Sequence, residues 1–299
     1  MLRLPIAALA TLASTVFALP TNTTGTGRSC GSVLSAPEMA AAEDYFDAHK
    51  PGSDMSAFAA SLNVYWHVIS ADNTLKGGNI PDSRIAASLK VLNDDYSGSG
   101  LSFTLTGVDR TVNPHWFNTA PQSSQQSAMK QTLRKGGASD LNVYSVGSIT
   151  DPSTGEPGVL GYATFPSSYL GNPQDDGVVF LYSTVPGGDA APYNLGRTLT
   201  HEVGHWAGEW VYTTPLKITW VSTHKFIKCY VGDYVLDTPS EKSAAFGCQT
   251  GRDTCTMPGT DPIHNFMDYS DDACMDKFTS GQMTRMKGQM ATYRGVSPL

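Results

Sequence analysis

The stretch Thr198-Leu199-Thr200-His201-Glu202-Val203-Gly204-His205-Trp206-Ala207-Gly208 sets two histidines four residues apart, with a glutamate directly after the first. On a helix that spacing puts both imidazoles on one face, about one turn apart, where two ring nitrogens reach a single zinc ion. Glu202 then stands beside the metal without ligating it, placed to take a proton from zinc-bound water. With seven histidines in 299 residues, a chance HExxH match has odds on the order of one per cent. The chemistry implied is zinc-assisted hydrolysis. A serine hydrolase has little support, since the chain holds no G-x-S-x-G elbow.

A helix bearing this motif needs a scaffold, and the periodicities describe one. Residues 62–69 alternate Leu62, Val64, Trp66 and Val68 with polar neighbours, which predicts a first core strand carrying a structural His67. Asp82 and Ser83 are expected to cap a helix whose Ile85, Leu89, Leu92 and Tyr96 share one face, ended by Gly98 and Gly100. Strands follow at 101–108 and 141–146, with a helix at 123–134 between them. A short strand at 159–165 and a continuous apolar one at 177–182 precede the zinc helix, expected over 194–208. A final helix opens with a capping box at Thr279 and Gln282, and its Met283, Met286 and Met290 form a core stripe. Residues 36–50 are mildly helical and close at Pro51-Gly52.

Composition bounds the class. At 40% apolar content the chain can bury a substantial core, and one catalytic domain with processed segments fits its length. The net charge of −7, with no long basic run, points away from nucleic acid and anionic membranes. A short basic start followed by an apolar run to Leu19 reads as a secretory signal peptide, and no stretch is long enough to span a membrane. Asn22-Thr23-Thr24 is the one glycosylation sequon. Five cysteines in an oxidising compartment leave Cys30 alone near the start and four clustered late, at Cys229, Cys248, Cys255 and Cys274; three pairings of the four are open.

H-E-x-x-H-x-x-G also resembles the opening of the metzincin zinc signature, and Asn265-Phe266-Met267-Asp268-Tyr269-Ser270 resembles the Met-turn of its pappalysin-like branch, especially the secreted fungal metalloproteases. The resemblance runs from about Cys30 to the C-terminus. It implies an α+β fold: a twisted, mostly parallel sheet of about five strands with backing and active-site helices. An irregular disulfide-braced C-terminal subdomain with a last helix would follow. The activity implied is that of a secreted, monomeric zinc endopeptidase acting on proteins or peptides. Residues 1–18 would be the signal peptide, 19–55 a propeptide and 56–299 the catalytic domain. Arg28-Ser29-Cys30-Gly31 resembles the family's cysteine switch, whose thiolate fills the open zinc position. The resemblance further implies Cys229–Cys255 and Cys248–Cys274 bridges, Met267 packed beneath the ligands and Tyr269 as oxyanion donor. It also implies a structural calcium at Asp233 and Thr238, and a short strand at 159–165 forming the upper cleft edge to which substrate adds.

One position departs from the pattern. The third metzincin histidine belongs three residues after Gly208, where this chain has Val211. The segment from there to Cys229 is roughly a dozen residues longer than the family spacing. Three readings follow: His224 as a displaced third ligand, a foreign inserted segment over 209–228, or a two-histidine site in an impaired protease. Glu209 is a poor substitute ligand because Gly208 should end the helix, and His264 resembles a family residue with no ligand role.

Overall fold

The computed structural model describes residues 27–32, 34–52, 58–211 and 232–296. Asn22, His224 and Cys229 lie outside them. In chain order the elements are α1 (Ala36–His49), β1 (Ala60–Ser70), α2 (Asp82–Asp95), β2 (Leu101–Val112), a one-turn α3 (Pro114–Phe117) and β3 (Asn118–Thr119). They continue with α4 (Ser124–Leu133), β4 (Leu141–Val146), β5 (Ser148–Ile149), β6 (Gly161–Ala163), β7 (Val178–Leu181), α5 (Arg197–Trp206) and α6 (Ser280–Arg294).

The main sheet has the order β2-β1-β4-β7-β6, parallel throughout except for the edge strand β6, which runs antiparallel to β7. Period-two alternation aims Leu62, Val64, Trp66 and Val68 of β1 at one face, where they meet Ile85, Leu89 and Leu92 of α2 and Leu199, Val203 and Trp206 of α5. The opposite face takes Ile69, Tyr144, Val146 and Val179, covered by Met129 of α4. β4, between two parallel neighbours, is buried at all six positions, as a strand covered on both faces must be.

Several expectations shift in detail: the edge strand expected at 159–165 is only Gly161–Ala163, and the helix expected over 194–208 is Arg197–Trp206. β2 runs four residues beyond 108, because β1 offers a continuous partner as far as Ser70. The cap of α2 is Pro81, without a side-chain bond, since the Asp82 carboxylate turns to Arg110 instead (2.5 Å). The α6 capping box is present, and Met286 and Met290 are fully buried.

α5 is tied on three sides. The Tyr96 hydroxyl of α2 donates to the Thr200 carbonyl (3.0 Å), and the Thr200 hydroxyl donates to Asp95 (2.6 Å). Arg294 of α6 lies 3.8 Å above the Trp206 ring and pairs with Asp176 through both Nη atoms at 3.0 Å. Gly208, at φ 107°, turns the chain away after the helix, and the Glu209 amide closes back on the Gly204 carbonyl (2.9 Å).

Candidate active site

The helical spacing of His201 and His205 brings the two rings to 4.8 Å between centroids, both fully buried. Each ring is oriented through Nδ1: that of His201 meets the Phe266 carbonyl and that of His205 the Glu209 carbonyl, both at 2.8 Å. Each Nδ1 therefore donates, and each Nε2 is left with its lone pair. Burial, with His205 and Arg28 adding to it, holds the His201 imidazole well below its usual pKa. Burial brings His205 down to about 4. At both rings burial favours the neutral imidazole, the form that ligates a metal.

Cys30 completes the cluster. Its Sγ is 3.3 Å from His205 Nε2, and the ligand atoms of Cys30, His201 and His205 all lie within 4.8 Å of one another. A tetrahedral zinc with bonds of about 2.0–2.3 Å needs ligand atoms that close. His201 Nε2 is buried with no hydrogen-bond partner among the described residues, an orphan that a metal would satisfy. The donor set fits zinc.

Glu202 faces the same point. Its Oε2 accepts from the Ser32 hydroxyl at 3.1 Å and lies 3.4 Å from Cys30 Sγ. Burial pushes its carboxyl up to about 8, against the hydrogen bonds from Cys30 and Ser32. Burial and the Glu202 carboxylate likewise push the Cys30 thiol well above its ordinary value. Two glycines make this packing possible. A Cβ at Gly161 would come within 2.7 Å of Glu202 Cγ, and one at Gly204 within 2.4 Å of Met267 Sδ. Met267 is fully buried beneath the helix, and the Tyr269 ring stands 5.8 Å from that of His201.

Residues 29–31 lie along the sheet edge. The Gly31 amide donates to the Gly161 carbonyl (2.9 Å), the Leu160 amide to the Ser29 carbonyl (2.8 Å), and Cys30 bridges Gly161 in parallel. The edge expected to receive substrate is thus covered by this chain's own segment. Arg28 anchors it through a buried ion pair with Asp272, whose other oxygen accepts from the amides of Leu195 (2.8 Å) and Arg197 (3.3 Å) at the start of α5. Ser32 and Asp272 were not singled out in the sequence. Asp272 follows Tyr269 within the Met-turn stretch, but no local pattern flags Ser32.

The remaining expected residues are placed as follows. Cys248 and Cys274 are bonded, with Cα atoms 5.5 Å apart. Cys255 is disulfide-bonded too, and Cys30 is free. Val211 carries no ligating atom, and among the described residues only Cys30 joins the two histidines. His264 is bound through Nδ1 to the Cys274 carbonyl (2.6 Å), and His67 sits between Asp109 (2.9 Å) and Asn142 (3.0 Å). Asp233 is buried, and among the described residues its Oδ2 is unpartnered; burial pushes its carboxyl up to about 6 against the Val235 amide on Oδ1.

A parallel sheet with one reversed edge strand, an HExxH helix beneath it and a Met-turn under the histidines define a metzincin-type metalloprotease. Residues 136–291 match the peptidase family described as "Pregnancy-associated plasma protein-A". The chain belongs to this pappalysin family of metalloproteases. It is 42% identical over 263 residues to an extracellular metalloprotease of Sordaria macrospora, covering 86% of this chain and 83% of the relative. It is 38% identical over 308 residues to one of Podospora anserina, covering 96% of each. A mutant of Tannerella forsythia promirolysin shares the fold at TM-score 0.68 and 24% identity, over 89% of this chain and 95% of that one. Mature mirolysin in complex with a cleaved peptide gives TM-score 0.59 at 25% identity, over 83% and 100%.

Proposed function

We propose that this chain is the latent form of a secreted zinc endopeptidase. The observation that carries the reading is the convergence of His201 Nε2, His205 Nε2 and Cys30 Sγ on one buried point, with Glu202 beside it. The two histidines would hold the zinc, and Cys30 would occupy its open position until residues 19–55 are removed. Bound there, zinc would supply Lewis-acid polarisation of the scissile carbonyl. Withdrawal of residues 29–31 frees the β6 edge, so an extended peptide binds by backbone hydrogen bonds in their place. Glu202, released from Ser32 and Cys30, accepts the proton of the attacking water and passes it to the leaving amine. Tyr269 donates a hydrogen bond to the oxyanion, while Met267 supports the histidines from below without ligating.

His224 is our choice for the third ligand, a residue of the segment that follows Val211. Asp233 and Thr238 would hold a structural calcium, which the unpartnered Asp233 oxygen supports. The relatives' name "Extracellular metalloprotease" supports secretion, and with it Asn22 as a glycosylation site and a Cys229–Cys255 bridge. We read the mature enzyme as a monomer.

Chelation should abolish peptidase activity. Glu202→Ala should lower kcat/KM by at least about 100-fold with thermal stability intact. Chelator-insensitive activity would end the zinc reading. Val211 favours one rival, a metzincin-fold protein that is catalytically impaired or only binds. Zinc stoichiometry separates the two: one tight zinc lost in His224→Ala supports the displaced ligand, and no tight zinc in the unaltered protein supports the rival. Transcript sequencing across codons 209–228 tests whether that segment is foreign.

A further inference from the structure

α1 packs against α6 and against Phe165 and Trp210, and its attachment has its own chemistry. The helix buries only Met39, Glu43 and Phe46. Cavities of about 870 and 380 Å³ flank it, the larger against the 234–237 loop and α6, the smaller against Ser167, Leu170 and Tyr293. Its apolar contacts are Met39, packed with Phe165 and Trp210, Tyr45 stacked on Tyr293, and Phe46. What seats the helix is Glu43. Arg285 of α6 grips its carboxylate with both Nη atoms, the Nη1–Oε2 bond being 2.9 Å. The Trp210 indole donates to Oε1 at 2.7 Å. The Tyr293 hydroxyl donates to the Ala42 carbonyl (2.6 Å), and Phe46 fills a notch where a Gly288 Cβ would come within 2.9 Å of its ring.

The socket touches the metal site from behind. Trp210 packs on Phe165 at 4.3 Å between centroids, and Phe165 meets the His205 ring edge-on at 5.3 Å. Arg285 also donates through Nε to the Gly208 carbonyl (2.9 Å), next to Glu209, whose own carbonyl holds His205. Glu209 is fully buried, and neither carboxylate oxygen has a hydrogen-bond partner among the described residues. A buried carboxylate is stable only when paired, and the nearby guanidinium is already taken by Glu43.

We propose that the face formed by Arg285, Trp210, Tyr293 and Gly288 is a docking surface for a helix that presents a buried carboxylate. Its occupant is α1, seated independently of Cys30, and Arg285 passes from Glu43 to Glu209 when α1 leaves. The latent chain then has two separate attachments, one at the metal site and one behind it. The carboxylate waiting at Glu209 keeps Arg285 paired and the turn behind His205 closed after α1 has gone. Only the timing of this exchange rests on reading residues 19–55 as a prosegment; the docking itself does not.

The test is hydrogen exchange by mass spectrometry on the full chain carrying Glu202→Gln, so that it stays intact. Cys30→Ser should leave the α1 amides protected, whereas Glu43→Gln should raise their exchange by about 100-fold, the scale of breaking a buried ion pair. In Glu43→Gln the amides of residues 206–211 should stay protected, and adding Glu209→Gln should expose them. The β1 and β4 amides report whether the body remains folded. If Glu43→Gln unfolds it, Glu43→Asp, too short for both contacts, gives the same reading. Loss of α1 protection in Cys30→Ser equal to that in Glu43→Gln would overturn the separate docking. An unchanged 206–211 segment in the double variant would overturn the exchange of partners. Neither readout depends on peptidase activity, so failure here is distinct from failure of the zinc reading.

Discussion

The sheet with its helices and the irregular region from 232 to 279 reach stability by different means. In the first, backbone groups pair within ladders and helices, and apolar side chains at period two or about 3.6 close a core in which Val64, Trp66, Val143 and Val203 are fully buried. In the second, turns leave backbone groups to be satisfied by side chains. Arg252 binds Glu241 (2.9 Å), Asp261 and the Ser243 carbonyl (2.7 Å). Asp237 accepts from Thr279 (2.7 Å), Ser280 (2.8 Å) and the Gly281 amide (2.9 Å) at the start of α6, and the Cys248–Cys274 bridge ties the loops together. The two regions meet under α5, at Gly204 and Met267. Repetitive structure builds the upper wall of the site. Individual polar contacts and a crosslink build its floor.

The largest expected effect lies in the first region. Asp176→Asn leaves Arg294 buried without its partner and should cost about 3–5 kcal/mol in denaturant unfolding. Burial raises the Asp176 carboxyl, but Arg294, Trp206 and Thr164 more than offset this and hold it below the ordinary value. Its contribution is therefore present above about pH 4 and lost as pH falls through the folded value. The variant should lack that part of the wild-type acid sensitivity.

Replacing Cys248 and Cys274 by alanine opens a loop with a sequence separation of 26 residues and should cost about 3 kcal/mol. Here the comparison can break. If the regions are independent, amides at 245–274 should lose protection while β4 and β7 keep theirs; a simultaneous loss would show one cooperative unit. The smallest effect is at the seam. Gly204→Ala drives a methyl into Met267 Sδ and should cost about 1–3 kcal/mol. The accompanying Met267→Ala should recover part of it.

Much of the upper wall was legible in the sequence, because alternation in 62–69, the one-faced stripe of Ile85, Leu89 and Leu92, and the apolar run at 141–146 are local signals. α5 was legible through its HExxH motif, and the stop at Gly208 through its residue type. The cap of α2 was misplaced because a distant arginine competed for Asp82. Ser32 on Glu202, Asp272 on Arg28 and Glu43 on Arg285 were not legible, since each joins residues at least 170 positions apart.

By itself the sequence determined which residues could hold a metal, which segments would be strand or helix, and the family they belong to. Those depend on residue type and short-range period, which the chain carries at every point. Only the tertiary structure decided that Cys30, Glu202 and the histidines share one buried point, that Gly161 and Gly204 must lack side chains there, and that Arg285 has two carboxylates to choose between. Such facts depend on distances across the fold, and those are set by how whole elements pack.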